Sequence, residues 1–399
     1  MTSPSDPALG PRTPVVIAAR RTPVGTAGRG LAGVELVGLV APVLRALVDD
    51  LGALGLDLPV TEVVLGNTMG PGGNPARVSA LAAGLGTGVP GVTVDRQCGS
   101  GQEAVHQACA AVLAGADLVL AGGAESASTA PHRLRPGTGG SAPVRYQRAP
   151  FAPADLGDPD MGPAAQTVAD RCGISRERQD AYALRSHRLA LAAARAGELD
   201  AELVPVAGTD HDERPRATLR PEILARMPGA FVPGGSVTAG NSCGVSDGAA
   251  LVAVVPEEVR AALGVPGLAL HGWTAVGVDP RTPGLGPVPA VEALLQRTGH
   301  RLQDVQRLEI TEAFAAQVLA CTDAWGLDPL GADGDRVCPQ GGAIALGHPW
   351  GASGALLVVR LFSQLVRGGP GSEDRPRLGI ATCAVGGGQG LALLVERVG

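Results

Sequence analysis

The sequence contains no lysine; all 32 of its Lys/Arg positions are arginine. Together with 59 glycines and 33 prolines, this reads as compositional bias and not as mechanism. Aromatic residues make up 2% of the chain, so the core has to be built from aliphatic side chains. There is no basic tract and the net charge is −6, which argues against nucleic acid as a partner. No apolar run is long enough, or free enough of Gly and Arg, to span a bilayer. Met1 to Pro7 has neither the charged n-region nor the apolar h-region of a signal peptide, and residues 1–12 are expected to form a disordered tail. The seven cysteines are odd in number and widely spread, with no Cys-x-x-Cys pair. This argues against a disulfide framework and against a zinc site, and for a reducing cytoplasm.

What is present is an alternation of strands and helices. At 399 residues the chain can bury one large core or two fused ones. Val15 to Ala19 reads as a buried strand, Leu36 to Leu51 as an amphipathic helix and Glu62 to Asn67 as a second strand. Asn74 opens a helix with Pro75 near its first turn. Asp117 to Ala121 is a strand, and Gly122 to Ser126 the turn after it. From Ser128 to about Pro159 periodicity disappears, which predicts an irregular insertion over a site mouth. Ser175 caps a helix that Gly197 stops. Asp210 to Phe231 is again irregular around one short helix, Gly235 to Asn241 returns to the sheet, and Ala249 to Val255 is a strand. A second half starts at Leu268. Its helix opened by Gly351-Ala-Ser-Gly354, its Leu378 to Thr382 strand and its Gly386 to Gly388 turn repeat the order of the first half. The expectation is a layered α/β protein of two similar halves.

The stretch that organises the chain is Val92-Thr-Val-Asp-Arg-Gln-Cys98-Gly-Ser-Gly101. A β-prone run ends at a cysteine and a tight turn. Apolar residues at helical spacing follow, from Ala104 to Leu113. Unpaired N–H groups at a helix start favour a thiolate and lower its pKa, and glycines leave room for a substrate against the backbone. On one reading Cys98 is therefore a nucleophile. On the other it is a buried core cysteine beside a helix start, as free cysteines usually are. This stretch alone leaves the two level.

Further segments break the tie. Asp95-Arg-Gln-Cys-Gly-Ser-Gly101, Gly122-Gly-Ala-Glu-Ser126, Gly235-Ser-Val-Thr-Ala-Gly-Asn241, Glu312-Ala-Phe-Ala-Ala-Gln317, Gly341-Gly-Ala-Ile-Ala-Leu-Gly-His-Pro349 and Gly386-Gly-Gly-Gln-Gly390 together resemble the thiolase family, in the family's order, from about Val15 to the end. The resemblance implies the five-layered αβαβα thiolase fold. It would comprise an N-terminal half over 13–266, a loop domain inserted at about 128–237, and a C-terminal half over 267–399. It implies cleavage of a 3-ketoacyl-CoA by CoA, or the reverse Claisen condensation, with acyl-CoA or an acyl carrier thioester as partner and no permanently bound cofactor or metal. Cys98 would carry the acyl group as a thioester and His348 would take the Cys98 proton, a task that suits a neutral imidazole near pH 7. The backbone N–H groups of Cys98 and Gly386 would form one oxyanion hole; His348 and a water held at position 311 would form the other. For CoA the resemblance points to Arg216 at the adenine end, to Met161, Ala230 and Phe231, and to Cys243 and Gly244 along the pantetheine. It also implies a cytoplasmic homodimer or homotetramer.

Three positions depart from the family's pattern. Asn-Glu-Ala-Phe is here Thr311-Glu312-Ala313-Phe314, and a Thr hydroxyl is shorter than an amide and donates in a different geometry. Cys-x-Gly-Gly-Gly, whose Cys moves the substrate's α-proton, is Ala384-Val385 before the glycines, with Cys383 one residue early. In extended backbone that slip turns the side chain to the opposite face unless a bulge intervenes. Asn-Ala-Ser-Gly is Asn241-Ser242-Cys243-Gly244. Three hypotheses follow. The first is a working thiolase with Cys383 or a substitute as acid/base. The second is a thiolase-fold acyltransferase or hydrolase with impaired carbon–carbon chemistry, and the third a non-catalytic binding subunit.

Overall fold

The computed structural model describes residues 9–146, 148–367 and 376–399. Its first-half strands are β1 (Pro14–Arg21), β2 (Gly25–Thr26), β3 (Glu62–Gly66), β4 (Gly91–Val94), β5 (Val119–Ser126) and the hairpin β6 (Arg133–Arg135) with β7 (Val144–Tyr146). Strand β8 (Ser246–Pro256) completes that half, and β9 (Gly267–Gly277), β10 (Arg307–Ile310), β11 (Leu378–Val385) and β12 (Gln389–Val398) belong to the second. Helices α1 (Leu36–Ala53), α2 (Pro75–Ala82), α3 (Ser100–Leu113), α4 (Met161–Cys172), α5 (Arg176–Arg195), α6 (Pro221–Ala225) and α7 (Glu257–Leu263) precede α8 (Pro287–Thr298), α9 (Ala315–Ala324), α10 (Ala343–Leu346) and α11 (Trp350–Phe362).

The strands run in the order β10-β11-β12-β9-β1-β8-β5-β3-β4, with β2 paired off this path to β8. The two halves meet where Val15 and Val16 of β1 pair antiparallel with Ala269 and Leu268 of β9. Helix α1 presents Leu36, Leu39, Val40, Val43, Leu44 and Leu47, an apolar stripe at helical spacing, to Val63, Leu120 and Leu251. Helices α3 and α11 are sandwiched between the halves, with Val105, Val112, Val358 and Leu361 packed among Val252, Leu270 and Leu393. On the far side Ala290, Val291 and Leu294 of α8 cover Ile380 and Leu394. The layers are therefore helix, strand, helix, strand, helix, and nearly all of this packing is aliphatic.

The structure differs from the sequence reading in several places. Gly122 to Ser126 is not a turn but the second half of β5, fully buried and paired to β8. Gly235 to Asn241 is not sheet: Gln166 of α4 accepts the N–H groups of Ser236 and Val237, at 2.8 and 3.0 Å, so these donors go to a side chain and not to a strand. The irregular stretch from Ser128 holds the β6–β7 hairpin, and α4 was not expected at all. Residues 1–8 of the expected tail lie outside the described residues. Its last residues are held, since Arg12 donates to Asp117 at 2.8 Å and to Glu258 at 3.1 Å. A buried ion network, also unforeseen, ties the insertion to the core: Glu202 accepts from Arg21 at 2.7 Å, Arg360 at 3.0 Å and Ser363 at 2.7 Å. The two guanidinium groups hold its carboxyl down at about 2 despite burial. No helix among the described residues is long and apolar enough to cross a membrane.

Candidate active site

Cys98 sits in the turn between β4 and α3, just ahead of the Gly99 cap. The turn is tight. Asp95 accepts the Gln97 N–H at 2.8 Å, and the Ser100 hydroxyl accepts the Arg96 N–H at 2.8 Å while donating to the Gln97 carbonyl at 2.6 Å. Gln97 takes a left-handed φ of 47°, a conformation that a non-glycine residue adopts at some cost. His348 stands at the equivalent place in the second half, one residue before the Pro349 cap of α11. The two helix starts touch backbone to backbone. A Cβ on Gly101 would lie 2.7 Å from the Gly351 carbonyl oxygen, and one on Gly351 2.3 Å from that of Ala124. Only glycine permits this approach. Glu125 fastens the junction, accepting from Gly351 N–H at 3.1 Å, Met69 N–H at 3.0 Å and the Asn67 amide at 3.0 Å.

The His348 tautomer follows from its partners. Ser353 donates its hydroxyl to the Pro349 carbonyl at 2.9 Å and lies 2.6 Å from His348 Nδ1. With its proton committed, that hydroxyl can only accept, so Nδ1 carries the hydrogen and Nε2 holds a free lone pair. Among the described residues, His348 Nε2 is buried without a partner. Burial pushes the imidazole down to about 4, so it is neutral at physiological pH. Cys98 behaves differently from the sequence expectation of a lowered pKa. Burial pushes its thiol up to about 12, against the N–H groups of Gly386 and of Cys98 itself, and the charges of Glu125 and Asp95 push the same way as burial. The resting sulfur is therefore a thiol, and it needs a base.

Two joined cavities meet at Cys98. The inner one, about 560 Å³ of open space, is lined by Cys98, His348, Cys243, Ala384 and Gly386 among others. The outer one, about 980 Å³, shares Cys98, Met161, Cys243, Phe314 and Trp350 with it and opens past Phe151, Phe231, Arg133 and Arg148. In a chain so poor in aromatics, three of its four phenylalanines and one of its three tryptophans line this space. Phe231 packs edge-on against Phe314, ring centroids 5.8 Å apart.

Of the sequence-derived positions, Cys98, His348, Gly386, Met161, Phe231 and Cys243 face these cavities. Gly244 supports them by accepting the His348 N–H at 3.0 Å. Cys383 does not reach the cavities. β11 pairs with β12 in unbroken register, so Ala384 faces the cavity, while the buried Cys383 packs with Val385 and Leu391 and lies 3.4 Å from Gln102 Oε1. Thr311 lines neither cavity, and its buried hydroxyl has no partner among the described residues. Arg216 lines a separate polar hollow with His187 and Arg214, and Ala230 lines neither cavity, donating its N–H to Val237 at 2.9 Å. Sequence reasoning missed Ser353 and Trp350. A hydroxyl one helical turn past Pro349 was the available signal for the first.

The chain matches the family models for the thiolase N-terminal domain, over residues 14–258, and the thiolase C-terminal domain, over 265–397. It is 40% identical to an acetyl-CoA acetyltransferase of Pseudomonas aeruginosa, over 96% of this chain and 99% of that protein. It is 41% identical to a probable acetyl-CoA acetyltransferase of Escherichia coli, over 96% and 98%. The crystal structure of the Bacillus anthracis acetyl-CoA acetyltransferase superposes with a TM-score of 0.87 at 36% identity, covering 97% of this chain and 99% of that one. With the two domain models together matching most of its length, and with sulfur and imidazole carried by equivalent turns of two similar halves, the chain belongs to the thiolase family and is an acyltransferase of it.

Proposed function

We propose that this chain makes and cleaves 3-ketoacyl-CoA through an acyl group carried on Cys98. The observation that carries the reading is the pairing, in one cavity, of a protonated Cys98 with an imidazole whose only free nitrogen is an unprotonated Nε2. His348 takes the Cys98 proton as the sulfur attacks the thioester carbonyl. The developing oxyanion is met by the Gly386 N–H, which lies close enough to the sulfur to favour its thiolate, and by the Cys98 N–H. The apolar cavity walls keep water from the thioester, and coenzyme A thioesters are the substrates. Arg133 at the mouth of the outer cavity suits a polyanionic CoA tail, whereas Arg148 beside it is already paired with Asp158 and Asp160. The chain would work in the cytoplasm as a homodimer or homotetramer, for which β4 at the end of the strand path is an open edge. A second reading, acyl transfer or hydrolysis without carbon–carbon chemistry, is favoured by one observation: Ala384, and not a thiol, occupies that wall of the cavity.

Intact-mass spectrometry tests the reading. Acetyl-CoA should add one acetyl group to the wild-type chain and none to Cys98→Ala. Equal labelling of both would refute Cys98 as the acyl carrier.

A further inference from the structure

Carbon–carbon chemistry in this cavity needs a second group that can exchange a proton, because His348 is occupied with the Cys98 proton. Among the described side chains lining the two cavities, the titratable ones besides Cys98 and His348 are Arg133 and Arg148 at the mouth and Cys243. An arginine does not give up its proton in a protein. That leaves the Cys243 thiol, which borders both spaces beside Cys98.

Its position is fixed from both sides. The Cys243 N–H donates to the Ala313 carbonyl at 3.0 Å, and the next residue, Gly244, accepts the His348 N–H at 3.0 Å. Ser242 bridges to Phe314 and Val245 to His348. The segment is therefore stitched between the two strips of chain that supply Phe314 and the base. Arg214 lies alongside. Its guanidinium donates to the carbonyls of Ser242, at 3.4 Å, and of Ile344, at 3.3 Å, and presses on Gly244, where a Cβ would sit 2.2 Å from it. No carboxylate pairs with Arg214 among the described residues, so its charge is free to act on the neighbouring sulfur. Burial still dominates and holds the thiol up at about 12, with Arg214 opposing. Such a group rests protonated, and its conjugate base is strong.

We propose that Cys243 is the second proton-transfer group of the site, acting at the carbon next to the substrate's thioester. The inference rests on Cys98 acylation as read above. In the cleavage direction, Cys98 sulfur adds to the 3-keto carbon after His348 takes its proton. The C2–C3 bond breaks, and its electron pair goes to C2. Cys243 gives its proton to C2, and acetyl-CoA leaves. The Cys243 thiolate then takes the proton of incoming CoA. The CoA sulfur attacks the acyl carbonyl, the bond to Cys98 breaks, and Cys98 regains its proton from His348. All groups end as they began.

The test uses wild type, Cys243→Ala, Cys243→Ser and the double variant Cys243→Ala with Ala384→Cys. Each is incubated with acetyl-CoA in deuterated water. Intact mass follows the acetyl group on Cys98, and small-molecule mass spectrometry follows deuterium in the acetyl methyl. Wild type should exchange. Both single variants should still reach one acetyl per chain on long incubation, more slowly because the departing CoA sulfur has lost its proton donor, while exchange per acylated chain falls by roughly two to four orders of magnitude, the span of a general acid/base. Serine keeps the size of the side chain but is a far weaker acid, so it guards against a packing effect. The double variant should recover at least tenfold. Exchange within tenfold of wild type in an acylated Cys243→Ala overturns the proposal, and so does a wild type that acylates without exchanging. No adduct on wild-type Cys98 overturns the underlying acyl-thioester reading instead.

Discussion

Replacing Ser353 by Ala removes the acceptor that fixes the His348 tautomer, while Ser353 itself lines neither cavity. The hydroxyl lies 2.6 Å from Nδ1, and both groups are buried. Without it, the reactive tautomer leaves an Nδ1–H buried and unpaired, which costs about 1–3 kcal/mol. The other tautomer carries its hydrogen on Nε2, which is buried without a partner among the described residues and can then no longer act as a base; in either case the imidazolium formed on taking the Cys98 proton has lost its acceptor at Nδ1. At about 1.4 kcal/mol per factor of ten, Cys98 acylation should slow by about 5- to 150-fold. The assay is single-turnover acetylation, quenched at intervals and read by intact mass. Ser353→Thr keeps the acceptor and should stay within a few-fold of wild type. If Ser353→Ala acylates within twofold of wild type, the tautomer argument is wrong. If Ser353→Thr loses as much as Ser353→Ala, the effect belongs to packing and not to the hydrogen bond.

Other outcomes follow from the same geometry. His348→Ala should slow acylation by roughly two to four orders of magnitude; a few-fold change would leave His348 a structural residue. Burial holds His348 at about 4, and burial with Arg214 and Arg216 holds His187 at about 4, both against 6.5 when free. Between these values the unfolded chain binds the extra protons, so stability should fall as pH drops from about 6.5 to about 4. His348→Gln should flatten that slope in urea titrations, and an unchanged slope would contradict the assignment. Cys383→Ala should change methyl-hydrogen exchange by less than about threefold, since its sulfur faces Gln102; a hundredfold loss would put it at the substrate. Gly101→Ala, forced against the Gly351 carbonyl, should cost about 2 kcal/mol or more, seen as a lower urea midpoint.

The layers, the two halves and the Cys98 and His348 turns were legible because each rests on local pattern: an apolar stripe, a β-prone run, a glycine turn before a helix. That a one-residue slip puts Cys383 on the opposite face unless a bulge intervenes rests on the same kind of local pattern, and β11 carries no bulge against β12. Gly122 to Ser126 misled because two adjacent glycines look like a turn. Their cause is lateral, since a Cβ on Gly123 would sit 1.8 Å from the Gly351 carbonyl of a distant segment. Gly235 to Asn241 is held out of the sheet by side chains that its own pattern does not show, Gln166, seventy residues away, accepting the Ser236 N–H. The Cys98 pKa was misjudged for a related reason. A helix start is visible in sequence, but the burial that outweighs it depends on every element that closes over the site.

The contact between the two helix starts has a further consequence. Sulfur and imidazole sit one or two residues outside helices that are clamped carbonyl to glycine, so their separation is set by the main chain and not by how aliphatic side chains settle around it. Trimming a methyl from an outer layer, such as that of Leu44 in α1, should make the protein easier to unfold yet leave each surviving molecule as fast as before. On heating, activity would then disappear by loss of molecules and not by gradual loosening of the reacting pair. The alignment of the pair would be as tolerant of drift in the outer layers as it is intolerant of one added carbon at Gly101 or Gly351.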